Sequence, residues 1–333
     1  MKNLSLFLVL FALLINSCGG EKEGNDRFNS KYDLIKEGEL TVYCENSSYK
    51  LMTEPFEMYK NSYPKVDLKV IETSTGEAMI KLLGGECDVA IVSRPYTEQE
   101  DSLMQLYDVQ THKKMLLCED ALVFFVKKDF PIDTINENQL KMIMREGKNI
   151  SDIFEEIKTE PIFVMNDVYS SEYENLKTFL TNRKMPKKRI KMFNNPDSVI
   201  NFVKENDAVG IGYYSQIVGN KELKALKVGF TYYKGMFAVD GRYADSTGKY
   251  RKADEVKTDA GTYRKPRLVH QANIVRRYTP FVVKHEAYLF EQDRKNTAWW
   301  FATYIEKEQI VQKYFLDAGI VPGFARFKLI KED

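Results

Sequence analysis

The feature that most constrains this chain is a rhythm of apolar runs and helix starts. Asp88-Val89-Ala90-Ile91-Val92 is continuously apolar after its first residue, with Gly84-Gly85 before it and Thr97-Glu98-Gln99-Glu100 after it. A run with no polar alternation suits a strand covered on both faces, and the flanking residues are a helix stop and a capping box. The same unit recurs upstream. Leu40–Cys44 reads as a strand, and Leu51, Met52, Pro55, Phe56, Tyr59 and Tyr63 then mark one face of a helix that Pro55 should kink. Val66–Ile71 is the next strand, and Ser74-Thr75-Gly76-Glu77 opens a helix that runs through Leu83. Strand and helix in alternation predict an α/β architecture with a mostly parallel sheet.

A second set follows. Ala121–Val126, Ile162–Met165, Ile190–Phe193 and Ala208–Tyr213 read as strands. Helices are expected over Asn136–Arg145, Ser171–Leu180 and Asp197–Lys204. The chain has 333 residues, about twice the ~150-residue prior for one domain, so two cores are expected. Asp240–Pro266 is nearly devoid of aliphatic residues and reads as a long exposed insertion. A strand near Phe281–Val283 and helices over Asn296–Glu306 and Glu308–Leu316 complete the pattern.

The N-terminus reads as an address. Lys2 precedes the apolar run Leu4–Ile15, which is too short to span a bilayer and has the length of a signal-peptide core. Ser17-Cys18-Gly19 at its end resembles a bacterial lipobox. The expectation is a lipoprotein signal over residues 1–17, lipidation of Cys18 and a polar tether over residues 18–37. Such a chain sits in the cell envelope, held to a membrane by acyl groups. Cys44, Cys87 and Cys118 then remain; they read as buried thiols, with one disulfide among them left open.

Composition excludes several functions. Lys+Arg is 49 and Asp+Glu is 48, so no basic field exists to hold nucleic acid. The three histidines, His112, His270 and His285, are not in metal-ligand spacing. No G-x-S-x-G, C-x-x-C or P-loop occurs, and no cofactor or catalytic residue is expected. One device does recur: hydroxyl residues sit where a strand gives way to a helix, at Ser47-Ser48, Ser74-Thr75 and Ser170-Ser171. A helix N-terminus presents unpaired N–H groups and partial positive charge. With hydroxyls added, such corners can hold an oxyanion without lysines.

The segments Leu40–Pro64, Lys81–Glu100, Ala121–Arg145, Ala208–Tyr213 and Ala318–Leu329 resemble the phosphate-binding, PstS-type substrate-binding proteins of bacterial ABC transporters, especially the lipoprotein forms of Bacteroidetes. The resemblance implies a type-II periplasmic-binding-protein clamshell, two α/β lobes joined by crossover strands. Lobe one would comprise 38–125 and 267–333, and lobe two 126–266 with the insertion at about 240–266. It implies a monomer that captures inorganic phosphate and delivers it to an ABC permease. The implied ligand-binding residues are Ser47, Ser48, Ser74, Thr75, Ser93, Arg94, Asn166, Ser170, Ser171 and Glu172. Arg94 stands where many members carry an acidic acceptor for the phosphate proton, and would offer an oxyanion a two-pronged fork. Glu172, Asp167 or neither would then be the acceptor. Another oxyanion or small anionic ligand is the alternative, as is an adhesion or assembly lipoprotein on the same fold.

Overall fold

The computed structural model describes residues 37–232, 255–258, 261–291 and 296–324. The expected signal segment, Cys18 and nearly all of the tether lie outside them, as does much of Asp240–Pro266. The described chain opens with β1 (Gly38–Glu45), α1 (Asn46–Ser62), β2 (Val66–Thr73), α2 (Thr75–Leu83), β3 (Val89–Val92), α3 (Glu98–Leu106) and the long β4 (Lys113–Lys127). Next come β5 (Thr134–Asn136), α4 (Glu137–Lys141), β6 (Ile162–Asn166), α5 (Ser171–Leu180), β7 (Ile190–Phe193), α6 (Pro196–Glu205) and β8 (Ala208–Tyr213). Then follow α7 (Tyr214–Ile217), β9 (Leu223–Ala225), β10 (Lys227–Tyr232), β11 (Glu255–Thr258) and β12 (Gly261–Arg264). The described part closes with α8 (Gln271–Val275), β13 (Val282–Leu289), α9 (Thr297–Lys307), α10 (Gln309–Asp317) and β14 (Val321–Pro322).

The main sheet runs β2-β1-β3-β13-β4-β8-β6-β7, with β9 and β14 also pairing β4. Its two ends are parallel, as the alternating sequence predicts: β1 lies parallel to β2 and β3, and β6 to β7 and β8. Its middle is not. β13 is antiparallel to both β3 and β4, and β4 is antiparallel to β8. β4 joins the halves by register: Lys113–Ala121 faces β13, and Leu122–Phe125 faces β8. The sheet is therefore mixed, because one long strand belongs to both halves.

Each half has cores of its own. Leu40, Val42, Met52, Phe56, Phe301 and Phe315 pack α1, α9 and α10 against the first half. Phe124, Phe163, Met165, Leu176 and Tyr213 pack α5 against the second. Gly210 in β8 makes room for Phe125, which packs in a separate cluster with Val123, Val164 and Val203; a Cβ at 210 would lie 2.3 Å from that ring. Helix α1 runs unbroken through Pro55. Proline cannot donate to the carbonyl four residues back, and the Tyr314 hydroxyl donates to that carbonyl, Leu51 O, at 3.1 Å.

Three further expectations are decided here. Cys44, Cys87 and Cys118 are all buried and free, so no disulfide forms among them. The reciprocal capping box is present at Thr97/Glu100. At Ser74/Glu77 only the Ser74 hydroxyl caps, accepting from Glu77 N, while Glu77 accepts from the Thr73 hydroxyl instead. The described end of Asp240–Pro266 departs from an exposed insertion. β11 and β12 pair with each other and extend the β10 edge, and Arg264 is 2% exposed with its guanidinium 4.9 Å from the Tyr278 ring centre. A guanidinium stacked on an aromatic face and donating to Arg277 O at 2.5 Å tolerates burial that its charge alone would oppose.

Candidate functional site

Four strand-to-helix corners meet between the two halves of the sheet. β1 runs straight into α1 without a loop, so Ser47 and Ser48 lie in the first helical turn rather than at its cap. Thr75 opens α2 and Ser171 opens α5, behind the N-caps Ser74 and Ser170. Ser93 follows β3. Ser47, Ser48, Thr75, Ser93 and Ser171 are all buried.

The hydroxyls converge on one group, the carboxylate of Glu45, the last residue of β1. Ser48 donates to Oε1 at 2.7 Å, and Ser93 donates to the same oxygen. Thr75 donates to Oε2 at 2.7 Å, together with Ser171. Glu45 is fully buried. A carboxylate taken from water needs its oxygens satisfied, and here each oxygen receives two hydroxyl donors. The donors are themselves supported. Ser171 N donates to Thr75 Oγ1 at 2.9 Å. Tyr213, at the end of β8, lies 2.7 Å from Ser93 Oγ and accepts from Asn175 Nδ2 at 3.0 Å. His285 Nδ1 lies 2.7 Å from Ser48 Oγ, and its Nε2 lies 3.5 Å from Asp120 Oδ2. The imidazole thus bridges Ser48 and Asp120.

A second carboxylate lies beside the first. Glu172 is buried; it accepts from Ser47 Oγ and from Gln216 Nε2, the latter at 3.1 Å. Burial, and next the charge of Glu45, push the Glu172 carboxyl up to about 7. Asn166, at the end of β6, donates to Asn46 Oδ1 at 3.0 Å and Ser47 Oγ at 3.3 Å, while its own Oδ1 is buried without a partner.

Of the residues singled out in the sequence, Ser47, Ser48, Thr75, Ser93, Asn166, Ser171 and Glu172 come together in this cluster. Ser74 and Ser170 do not, because their hydroxyls cap helices by accepting from Glu77 N and Tyr173 N, each at 3.2 Å. Arg94 does not offer its fork to the cluster. Its two terminal nitrogens each donate to Glu100 at 2.7 Å, a buried bidentate pair that leaves those donors engaged. Asp167 accepts from Tyr169 N at 2.6 Å and shapes its own loop. Sequence reasoning missed Glu45, Asn175, Tyr213, Gln216 and His285. A charged residue closing the apolar run Leu40–Cys44, directly before a hydroxyl pair, was the available signal for Glu45. None existed for the others, which arrive from distant strands and helices.

Residues 36–276 match the model of a family described as the PBP superfamily domain. The phosphate-binding protein PstS of Staphylococcus aureus is 26% identical over 224 residues, covering 65% of this chain and 65% of that protein. The chain thus matches just under two thirds of that relative's length. In fold, it is similar to a Clostridium perfringens protein described as a phosphate ABC transporter substrate-binding protein, solved with phosphate bound. The TM-score is 0.62 at 13% identity, over 86% of this chain and 99% of that one. It is also similar to an ABC-type phosphate transport receptor of Vibrio cholerae, with a TM-score of 0.59 at 16% identity, over 85% and 99%. The fold is that of the type-II periplasmic-binding-protein clamshell.

Proposed function

The chain belongs to the PBP superfamily, and from that premise we propose that it captures inorganic phosphate between two lobes and hands it to the permease of an ABC transporter. The observation that carries the reading is the convergence of Ser48, Thr75, Ser93 and Ser171 on a single pair of oxygens. Those donors come from both halves of the sheet, so the seat they form exists only when the halves are together. Carboxylate and phosphate oxygens are acceptors of one kind, and a seat made of hydroxyl donors suits either. The names and bound phosphate of the similar proteins support the choice of ligand.

The lobes would be 38–125 with 267–333, and 126–266, closing by a hinge at the strands that cross between them. The chain would be exported, lipid-anchored at Cys18 and monomeric in the cell envelope. Among the described residues no helix is long and apolar enough to cross a membrane. No catalysis is assigned to it; the similar proteins are binding and transport proteins. Isothermal titration with phosphate, sulfate and molybdate tests the reading. Heat is expected with phosphate. Sulfate, which brings no proton to the Glu172 region, is expected to give none at neutral pH. Silence with all three would sink the reading.

A further inference from the structure

Resting on that reading, we propose that the Glu45 carboxylate is a resident competitor for the anion seat, so that an oxyanion enters the cleft only by exchange with it. Each hydroxyl has one proton to give; those of Ser48, Thr75 and Ser171 are directed at Glu45, and that of Ser93 is shared between Glu45 and the Tyr213 hydroxyl. Thr75 Oγ1 also accepts from Ser171 N, and Ser48 Oγ lies 2.7 Å from His285 Nδ1. A guest therefore finds no spare hydroxyl among these four while Glu45 stays in place.

Charge gives the same answer. Glu172 also lies in the cluster, and a phosphate lodged beside both carboxylates would bring like charges together in a water-poor space. The guanidinium that could have balanced them, Arg94, is clamped by Glu100. The side chain of Glu45 occupies the N-cap of α1 without making a cap hydrogen bond, so the helix cap does not depend on it. Its departure breaks contacts to the four hydroxyls and leaves the helix cap as it was.

The groups facing Glu45 from the packed elements are Glu172 on α5, Tyr213 on β8, Cys44 on β1 and Arg94 after β3. On β13 stands His285, with Asp120 of β4 behind it. Among these, burial and the charge of Glu45 push the Glu172 carboxyl up to about 7.

The test is phosphate titration of the wild-type protein, Glu45→Ala and Glu45→Gln at pH 5.5, 7 and 8.5. Glu45→Ala is expected to bind at least tenfold tighter than wild type at pH 8.5. Acetate, which fits the emptied seat, should weaken phosphate binding by Glu45→Ala and leave wild type unaffected. Thermal melting supplies a second readout. Glu45→Ala should melt lower in anion-free buffer and recover with phosphate or with acetate. Weaker phosphate binding by both variants would overturn the inference, because Glu45 would then be a partner of the ligand. Equal binding by all three proteins would overturn it while leaving the phosphate reading intact. No binding by any of them, at any pH, would remove both.

Discussion

Glu172 links the candidate site to stability. Its carboxyl sits at about 7 in the folded chain, raised first by burial and then by Glu45. The unfolded chain returns it to the ordinary range near 4.3. A folded-state value above the unfolded one means that folding holds the proton more tightly. The stabilisation is fully present below the unfolded value and is lost as pH rises from about 4 to about 7. The wild-type melting temperature should therefore fall across that window by more than that of Glu172→Gln, measured by circular dichroism. The difference corresponds to a few kcal/mol, about 1.4 per pH unit of separation. Parallel curves for the two proteins would contradict it. Ser171→Asp probes the same spot by charge. It sets a new carboxylate against Glu45 Oε2, where Ser171 now donates. Phosphate binding should drop at least a hundredfold while secondary structure persists, because each half keeps its own core. Titration and circular dichroism read the two effects separately. Ser171 was legible in the sequence as a corner hydroxyl, whereas the carboxylate it serves was not.

At the scale of elements, local signals were strong where a strand or helix is decided by its own residues. The apolar run Val89–Val92 is a fully buried strand, and Thr97 and Glu100 cap the N-terminus of α3 reciprocally. They failed where a partner from elsewhere intervenes. Pro55 promised a kink, yet Tyr314 from α10 supplies the donor that proline lacks. Tyr314→Phe should cost about 1 kcal/mol, the usual worth of such a bond. In a Pro55→Ala background, where the helix supplies its own N–H, the same change should cost clearly less. Urea unfolding of the four proteins closes that cycle, and equal costs in both backgrounds would refute the compensation. Gly210→Ala belongs to the same scale. Its new Cβ would overlap the Phe125 ring, at 2.3 Å, and should destabilise by about 1–3 kcal/mol.

At the scale of the molecule, the two halves meet through more than the buried cluster. Lys50 of α1 reaches Asp197 of α6 at 3.2 Å, and Arg183 reaches Glu98 of α3 at 3.0 Å, both on exposed surfaces. Exposed pairs of this kind contribute little energy, so they mark where the halves touch without holding them there. Cysteines at 50 and 197, joined by a short bis-maleimide, should keep the cleft shut and prevent phosphate uptake. The unlinked double variant should bind as wild type does. Undiminished binding by the linked protein would contradict closure as the gate. By itself the sequence determined the order of strands and helices and the hydroxyls at their corners. Caps, stops and apolar runs act within about ten residues of chain, so they can be recognised one segment at a time. Only the tertiary structure decided what those hydroxyls face. Residues 48, 75, 93 and 171 become neighbours because β4 and β13 cross the middle of the sheet antiparallel and fold one half against the other. That juxtaposition directs their protons at Glu45, and no local pattern encodes the meeting of groups so far apart along the chain.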